Sequence, residues 1–166
     1  MPTPPLAQDD RLTVMGLLVE TWAAVSGRLT GHMASFGLAP AEFEVCIRLA
    51  RSRDGQLRMS DLAAQTTMSA SGVTRVVDRL VERGLVGRLD CVRDRRTTYA
   101  VLTARGSDLL QDLLPGHTEL IDQWLIEPLR KAGLDEFVRA LRAVRDHAAP
   151  CSVAGATPAD AVPQPR

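Results

Sequence analysis

The chain has 166 residues, of which 45% are apolar and 24% charged, and its 20 basic side chains balance 20 acidic ones. That length suits one domain, and the composition excludes a disordered chain, a coiled-coil rod and a disulfide scaffold. The best apolar stretch, Met15–Val25, is interrupted by Glu20 and is too short for the ~18 residues of a membrane span. No membrane partner is expected. The first eight residues carry no Lys or Arg, so the charged start of a secretory signal is missing. Three cysteines, an odd number, suit a reducing compartment, and a cytoplasmic location is expected.

Pro2, Pro4 and Pro5 crowd residues 1–8, and Pro150, Pro158, Pro163 and Pro165 crowd residues 148–166. Neither end has an apolar set that could offset its ordering entropy, so both are expected to be disordered tails. Between them a first helix is predicted over about 10–36. Its seam of Met15, Leu18, Trp22, Val25, Leu29, His32 and Phe36 alternates spacings of three and four. Gly37 stops it. Such a helix is ~40 Å long, more than a small core needs, so the excess seam is expected to meet another chain.

A second helix over about 40–52 starts at Pro40 and offers Phe43, Cys46, Ile47 and Ala50 as its apolar face. Ser60 is read as the cap of a short third helix carrying Leu62 and Ala63 and ending near Thr66. Ser69 caps a fourth helix whose inward stripe is Val73, Val76, Val77, Leu80 and Val81, closed by Gly84. The apolar period then changes to two. Leu85–Val92 and Thr97–Thr103 read as strands joined by a cationic turn, Arg93-Asp94-Arg95-Arg96.

Thr103 caps a fifth helix with Leu109, Leu110, Leu113, Leu120, Ile121 and Trp124. Pro115 should kink or reset it near Leu114, and Pro128 should end it. A last helix over about 135–147 is expected to bury Phe137, Val138, Leu141 and Val144. The fold class is therefore mostly α with a small β-hairpin wing.

Two short helices, a tight turn and a hairpin with an arginine tip make a winged helix-turn-helix. Zero net charge conceals an asymmetry: Ser69–Arg105 is net +4, with Arg75, Arg79, Arg83, Arg88, Arg93, Arg95, Arg96 and Arg105 against four acids. A local basic face on a neutral protein suits a polyanion. The fourth helix turns Ser71, Thr74, Arg75, Asp78 and Arg79 away from its apolar stripe. Its small N-terminal side chains let it enter a major groove of double-stranded DNA, where hydroxyls and guanidinium groups read base edges. Arginines on a narrow ribbon suit the minor groove.

The run MSDLAAQTTMSASGVTRVVDRLVERGLVGRLDCVRDRRTTYAVLTARG (residues 59–106) resembles the core of the MarR family of bacterial transcription regulators. The likeness rests on S-x-S-x-x-T-R-x-V-D-R-L-x-x-R-G-L-V (Ser69 to Val86), D-R-R (Asp94 to Arg96) and L-T-x-x-G (Leu102 to Gly106), and extends over about 10–147. It implies a homodimer held by terminal helices at 9–37 and 104–147, with a winged lobe at 38–103. It also implies a palindromic operator, with Ser71, Thr74 and Arg75 toward the major groove and Arg95 or Arg96 toward the minor groove. By the same likeness Asp94 orients the wing through a salt bridge, and a small-molecule effector releases the DNA. The candidate DNA contacts are Ser60, Ser69, Ser71, Thr74, Arg75, Arg79, Arg95 and Arg96. The candidate effector residues are Trp22, His32 and His117. Two positions depart from the family pattern: Thr67 stands where a turn glycine is common, and Cys91-Val92 replaces a turn-forming Asp-Pro.

Other readings place these residues differently. Arg79, Arg83 and Arg88 suit pairing with Asp78, Glu82 or Asp90 as well as phosphate contact. Cys46 falls in an apolar register, Cys151 in a tail, and Cys91 in a basic strand where a lowered thiol pKa would allow redox sensing. His32 and His117 lie in apolar helical patterns, and zinc sensing is the alternative to an organic effector, although no H-x3-H or C-x2-C is present. No G-x-S-x-G, Walker loop, H-E-x-x-H or paired carboxylates point to an enzyme, and nothing calls for a cofactor. A winged helix used only to dock another protein is the remaining alternative.

Overall fold

The computed structural model describes residues 5–66, 68–90 and 97–148. Helix α1 (Asp10–Ser35) is capped by Asp9, whose carboxylate accepts from the Arg11 backbone N–H at 2.9 Å. One 3-10 turn, Pro5–Gln8, precedes it, inside the segment expected to be unstructured. Gly37 ends the helix with φ of +70°, a left-handed turn that favours glycine. Helix α2 (Pro40–Arg51) follows, then strand β1 (Gln56–Arg58), helix α3 (Met59–Gln65) and helix α4 (Ala70–Glu82). Strands β2 (Val86–Asp90) and β3 (Thr98–Leu102) form the hairpin; β2 starts one residue later than the sequence suggested, and β3 is one residue shorter at each end.

Strand β1 carries no signal of its own. Its three residues become a strand by pairing antiparallel with β3, Gln56 opposite Val101, Leu57 opposite Ala100 and Arg58 opposite Tyr99. The sheet order is β1-β3-β2, so β3 is central. This extra strand shifts the start of α3: Arg58 is the N-cap, and Ser60 lies inside the first turn instead of capping it. Ser60 Oγ instead sits 3.4 Å from the neighbouring Asp61 carboxylate.

The core gathers Met33 and Leu38, Val45, Cys46 and Leu49 of α2, Leu62 of α3, and Val73, Val76, Val77 and Leu80 of α4. Leu85, Val86, Ala100, Leu110 and Leu113 close it. Helix α2 is rotated from the face expected of it. Val45 and Leu49 point inward with Cys46, while Phe43 and Ile47 are half-buried and Ala50 is exposed. Val81, at the edge of the α4 stripe, also stays exposed.

Helix α5 (Ala104–Ile121) runs unbroken through Pro115. The irregularity falls one turn later, in a π-helical segment, Asp122–Ile126, where the Glu127 N–H bonds the Asp122 carbonyl. Pro128 then occupies the first turn of helix α6 (Glu127–Ala132), where its missing N–H is tolerated. Gly133, with φ of +114°, ends the run that Pro128 was expected to end. Helix α7 (Leu134–Ala148) buries none of its residues. Phe137 and Val138 are half-covered, and Leu141 and Val144 are exposed, because α7 packs on α6 rather than on the core.

Thr103 joins α5 to the lobe. Its hydroxyl donates to the Gly84 carbonyl at 2.8 Å and accepts from the Gly106 N–H at 3.0 Å. The helix then passes so close that a Cβ on Gly106 would overlap the Leu85 carbonyl oxygen and lie 2.8 Å from Leu102 Cδ1. Backbone cannot yield as a flexible side chain can. Gly106→Ala should therefore lower unfolding free energy by ~1–3 kcal/mol, as measured by urea denaturation. An unchanged midpoint would show that α5 does not need this approach.

Candidate nucleic-acid interface

Helix α4 is built to show one face. Val73, Val76, Val77 and Leu80 repeat at helical spacing and are buried, which fixes the rotation of the helix. Ser71, Thr74 and Arg75 therefore point outward and are exposed. Ser69 caps the helix, accepting from the Gly72 N–H at 3.2 Å, and its Oγ lies 3.2 Å from Ser71 Oγ. The Thr74 hydroxyl donates to the Ala70 carbonyl at 3.0 Å, leaving its acceptor lone pairs outward. Arg75 forms no ion pair or hydrogen bond among the described residues. The positive end of the helix dipole lies at Ser69, which favours an approaching phosphate.

The other arginines divide between binding and bracing. Arg79 does not simply face solvent, since its Nε donates to Glu42 Oε1 at 3.3 Å. Arg83 donates to the other oxygen of that carboxylate at 2.9 Å. Glu42 is 6% exposed and also accepts from the Ala39 N–H at 3.1 Å. Arg88 pairs with Asp78 at 2.8 Å, a partner anticipated among several. Glu42 was not anticipated for Arg79 or Arg83. The signal was present: Glu42 stands in register with Val45, Cys46 and Leu49, so a charge on a buried face required cations from elsewhere. Arg58 donates to the Tyr99 hydroxyl at 3.1 Å, beside the strands of the wing. The wing tip, with Cys91, Arg93, Asp94, Arg95 and Arg96, lies outside the described residues, as do Thr67 and Cys151.

Two of the three candidate effector residues meet. The rings of His32 and His117 are 6.0 Å apart, and Phe43 lies 4.6 Å from His117. His32 Nε2 is 3.0 Å from the Leu113 carbonyl, so the proton sits on that nitrogen. Gly116 makes room for this ring, since a Cβ there would lie 2.8 Å from His32 Cε1. His117 is 6% exposed and its Nδ1 has no hydrogen-bond partner among the described residues. Trp22 does not join them. It is exposed on α1, ten residues and ~15 Å along the axis from His32.

Among the described residues no cluster of three or more His, Cys, Asp or Glu could hold a metal ion. The Cys46 thiol is pushed up to about 12 by burial and by the Glu42 charge, so it is inert as a nucleophile. No helix among the described residues is long and apolar enough to cross a membrane.

The family model for MarR matches residues 40–98, which takes in α2, α3, α4 and β2 and ends at the first residue of β3. A regulator from Bacillus subtilis, YkoM, is 31% identical over 110 residues, covering 59% of this chain and 70% of the relative. The chain belongs to the MarR family. A second HTH-type transcriptional regulator of B. subtilis, MhqR, is 29% identical over 109 residues, 66% of this chain and 74% of the relative. The MarR family regulator Sco3205 of Streptomyces coelicolor, solved in complex with DNA, superposes with a TM-score of 0.79 at 25% identity, covering 84% of this chain and 92% of that one. This MarR-family protein is thus a DNA-binding transcription regulator with a winged helix fold.

Burial and the neighbouring His32 hold His117 below its ordinary value of 6.5. Between the two values the unfolded chain binds a proton that the folded chain does not, so stability falls as pH drops through that window. Urea melts of the parent should weaken from pH 7 to pH 5, and His117→Gln should flatten the profile. Parallel profiles would remove His117 as the titrating group.

Proposed function

We propose that this regulator is a homodimeric, effector-responsive repressor. Each protomer lays α4 in the major groove of one half of a palindromic operator and reaches the minor groove with the wing. The observation that carries the reading is the outer face of α4, where Ser71, Thr74 and Arg75 stand exposed above a stripe that cannot rotate. Ser60 and Ser69, near the N-termini of α3 and α4, suit phosphate contact. Arg79 contributes from its half-exposed position while bonded to Glu42. Arg95 and Arg96 serve the minor groove, with Asp94 orienting the tip. The DNA complex of Sco3205 supports the same docking, because the two chains share this fold.

Arg75→Ala and Thr74→Ala should each reduce discrimination between operator and random duplex by ~1–3 kcal/mol if the contact is to a base. Equal loss on both DNAs would show that these side chains touch phosphate only.

The dimer reading assigns 9–37 and 104–147 to association and 38–103 to DNA. Leu12, Val14, Met15, Leu17, Leu18 and Trp22 are all at least half exposed on α1, and α7 adds Leu141 and Val144. A patch of that size is an interface. Sedimentation at micromolar concentration should give twice the chain mass, and Leu18→Asp should lower it; a monomeric parent would overturn the dimer.

The effector reading rests on the cluster of His32, Phe43 and His117 rings. The buried His117 Nδ1, without a partner among the described residues, is ready to accept a hydrogen bond from a small polar molecule. Trp22 belongs to the dimer face in this reading.

A further inference from the structure

The two oxygens of the Glu42 carboxylate are used differently. Oε2 takes two donors, the Ala39 N–H at 3.1 Å and an Arg83 guanidinium nitrogen at 2.9 Å. Among the described residues Oε1 takes Arg79 Nε alone, at the longer distance of 3.3 Å. The Glu42 side chain is 8% exposed and that of Arg79 is 50% exposed, so the pair runs from the wall of the lobe to its surface. Two guanidinium charges thus face one carboxylate, and the shorter bond belongs to Arg83. One positive charge is left over, and it lies on the more exposed member.

Arg79 is held without being used up. Its terminal nitrogens form no ion pair or hydrogen bond among the described residues. A guanidinium is planar and rigid, so a bond at Nε also fixes where the two terminal nitrogens point. Arg79 follows Arg75 by four residues, so both lie on one face of α4, ~6 Å apart along the axis. Like charges at that spacing repel, and a free Arg79 side chain would swing away from its neighbour. The neighbouring carboxylate on α4, Asp78, is turned to Arg88 at 2.8 Å and does not compete for Arg79. Glu42 therefore decides, from α2, the direction of a cation on the outer edge of α4.

We infer that Glu42 is a positioning residue for operator recognition: it aims the terminal nitrogens of Arg79 at one backbone phosphate beside the bases that Arg75 meets. The role rests on the docking of α4 proposed above. A phosphate contact carries no base information, but it fixes the register in which neighbouring side chains meet base edges. A guanidinium held at Nε grips a phosphate only where the groove presents one at that spot, through charge-assisted N–H bonds. A free guanidinium takes whichever phosphate lies within reach, on any sequence. Holding Arg79 therefore favours the operator over other duplexes, although Glu42, buried behind it, meets no DNA itself.

Fluorescence anisotropy of the full chain at several salt concentrations tests it, with an operator selected from a random duplex pool and an unselected duplex as probes. Glu42→Gln should weaken operator binding about fivefold, the size of a modest coupling between neighbouring groups. It should at the same time tighten binding to the unselected duplex and steepen that salt slope by up to ~0.9 per protomer. Arg79→Ala should flatten the operator slope by a similar amount, and in that background Glu42→Gln should shift neither duplex further. A purely structural Glu42 would weaken both duplexes alike with both slopes unchanged, and that result would overturn the role. So would a full Glu42→Gln effect in the Arg79→Ala background, because it would not pass through Arg79. Melting curves identify a variant that fails to fold. Arg79 is exposed, so Arg79→Ala then decides, and an unchanged operator slope there would overturn the role as well. Arg75→Ala tells the two readings apart: if it weakens operator binding while Glu42→Gln gives a contrary result, only the role of Glu42 falls. If it leaves operator binding unchanged, the docking of α4 falls and the role with it.

Discussion

The Glu42 carboxylate is the contact on which the DNA-binding lobe depends. It is a charge on the buried face of α2, and leaving it unpaired there would cost several kcal/mol. Three donors meet it: the Ala39 N–H, Arg79 Nε and an Arg83 guanidinium nitrogen. The first ties it to the turn after α1, and the other two come from the last turn of α4 and from the residue that caps its C-terminus. One carboxylate therefore sets where α4 stands against α2, and the apolar stripe sets its rotation. The exposed edge of Ser71, Thr74 and Arg75 follows from those two constraints together.

A consequence is that the basic cluster is less available than its charge suggests. Arg79, Arg83 and Arg88 are engaged by Glu42 and Asp78, although each keeps part of its side chain in water. Arg75 on α4 and Arg105 on α5 carry no ion pair among the described residues. A net charge of +4 over the window thus resolves into cations that brace the fold and cations directed outward.

The second half of the molecule is organised around what it leaves uncovered. Helix α1 packs its C-terminal part, Leu29, Met33 and Phe36, on the core, while its N-terminal part is apolar on several faces and exposed. Contacts with α5 hold the two regions together: His32 on the Leu113 carbonyl, and Arg28 stacked 3.9 Å above the Trp124 ring at the π-helical turn. Small residues make the approaches possible, Gly116 beneath His32 and Gly106 against Leu85.

Elements whose identity depends on local periodicity were legible from the sequence. The α4 stripe, the Ser69 and Thr103 caps and the Gly37 and Gly84 stops are short-range events, because a helix turn decides its own face and ends. The order of helices and hairpin pointed to a winged helix, and with it to DNA. Tertiary structure decided the rest. Strand β1 exists because β3 offers it backbone partners, and with it Ser60 lost its role as cap. Helix α2 turned so that Val45 and Leu49, not Ala50, met the core, since only the surrounding helices define which side is inside. Pro115 was absorbed without a break, and α7 stayed uncovered, because both outcomes depend on what packs beside the helix. The Glu42 pairing and the meeting of His32 with His117 join residues 37 and 85 positions apart, and the chain alone carries no record of distances that only folding sets.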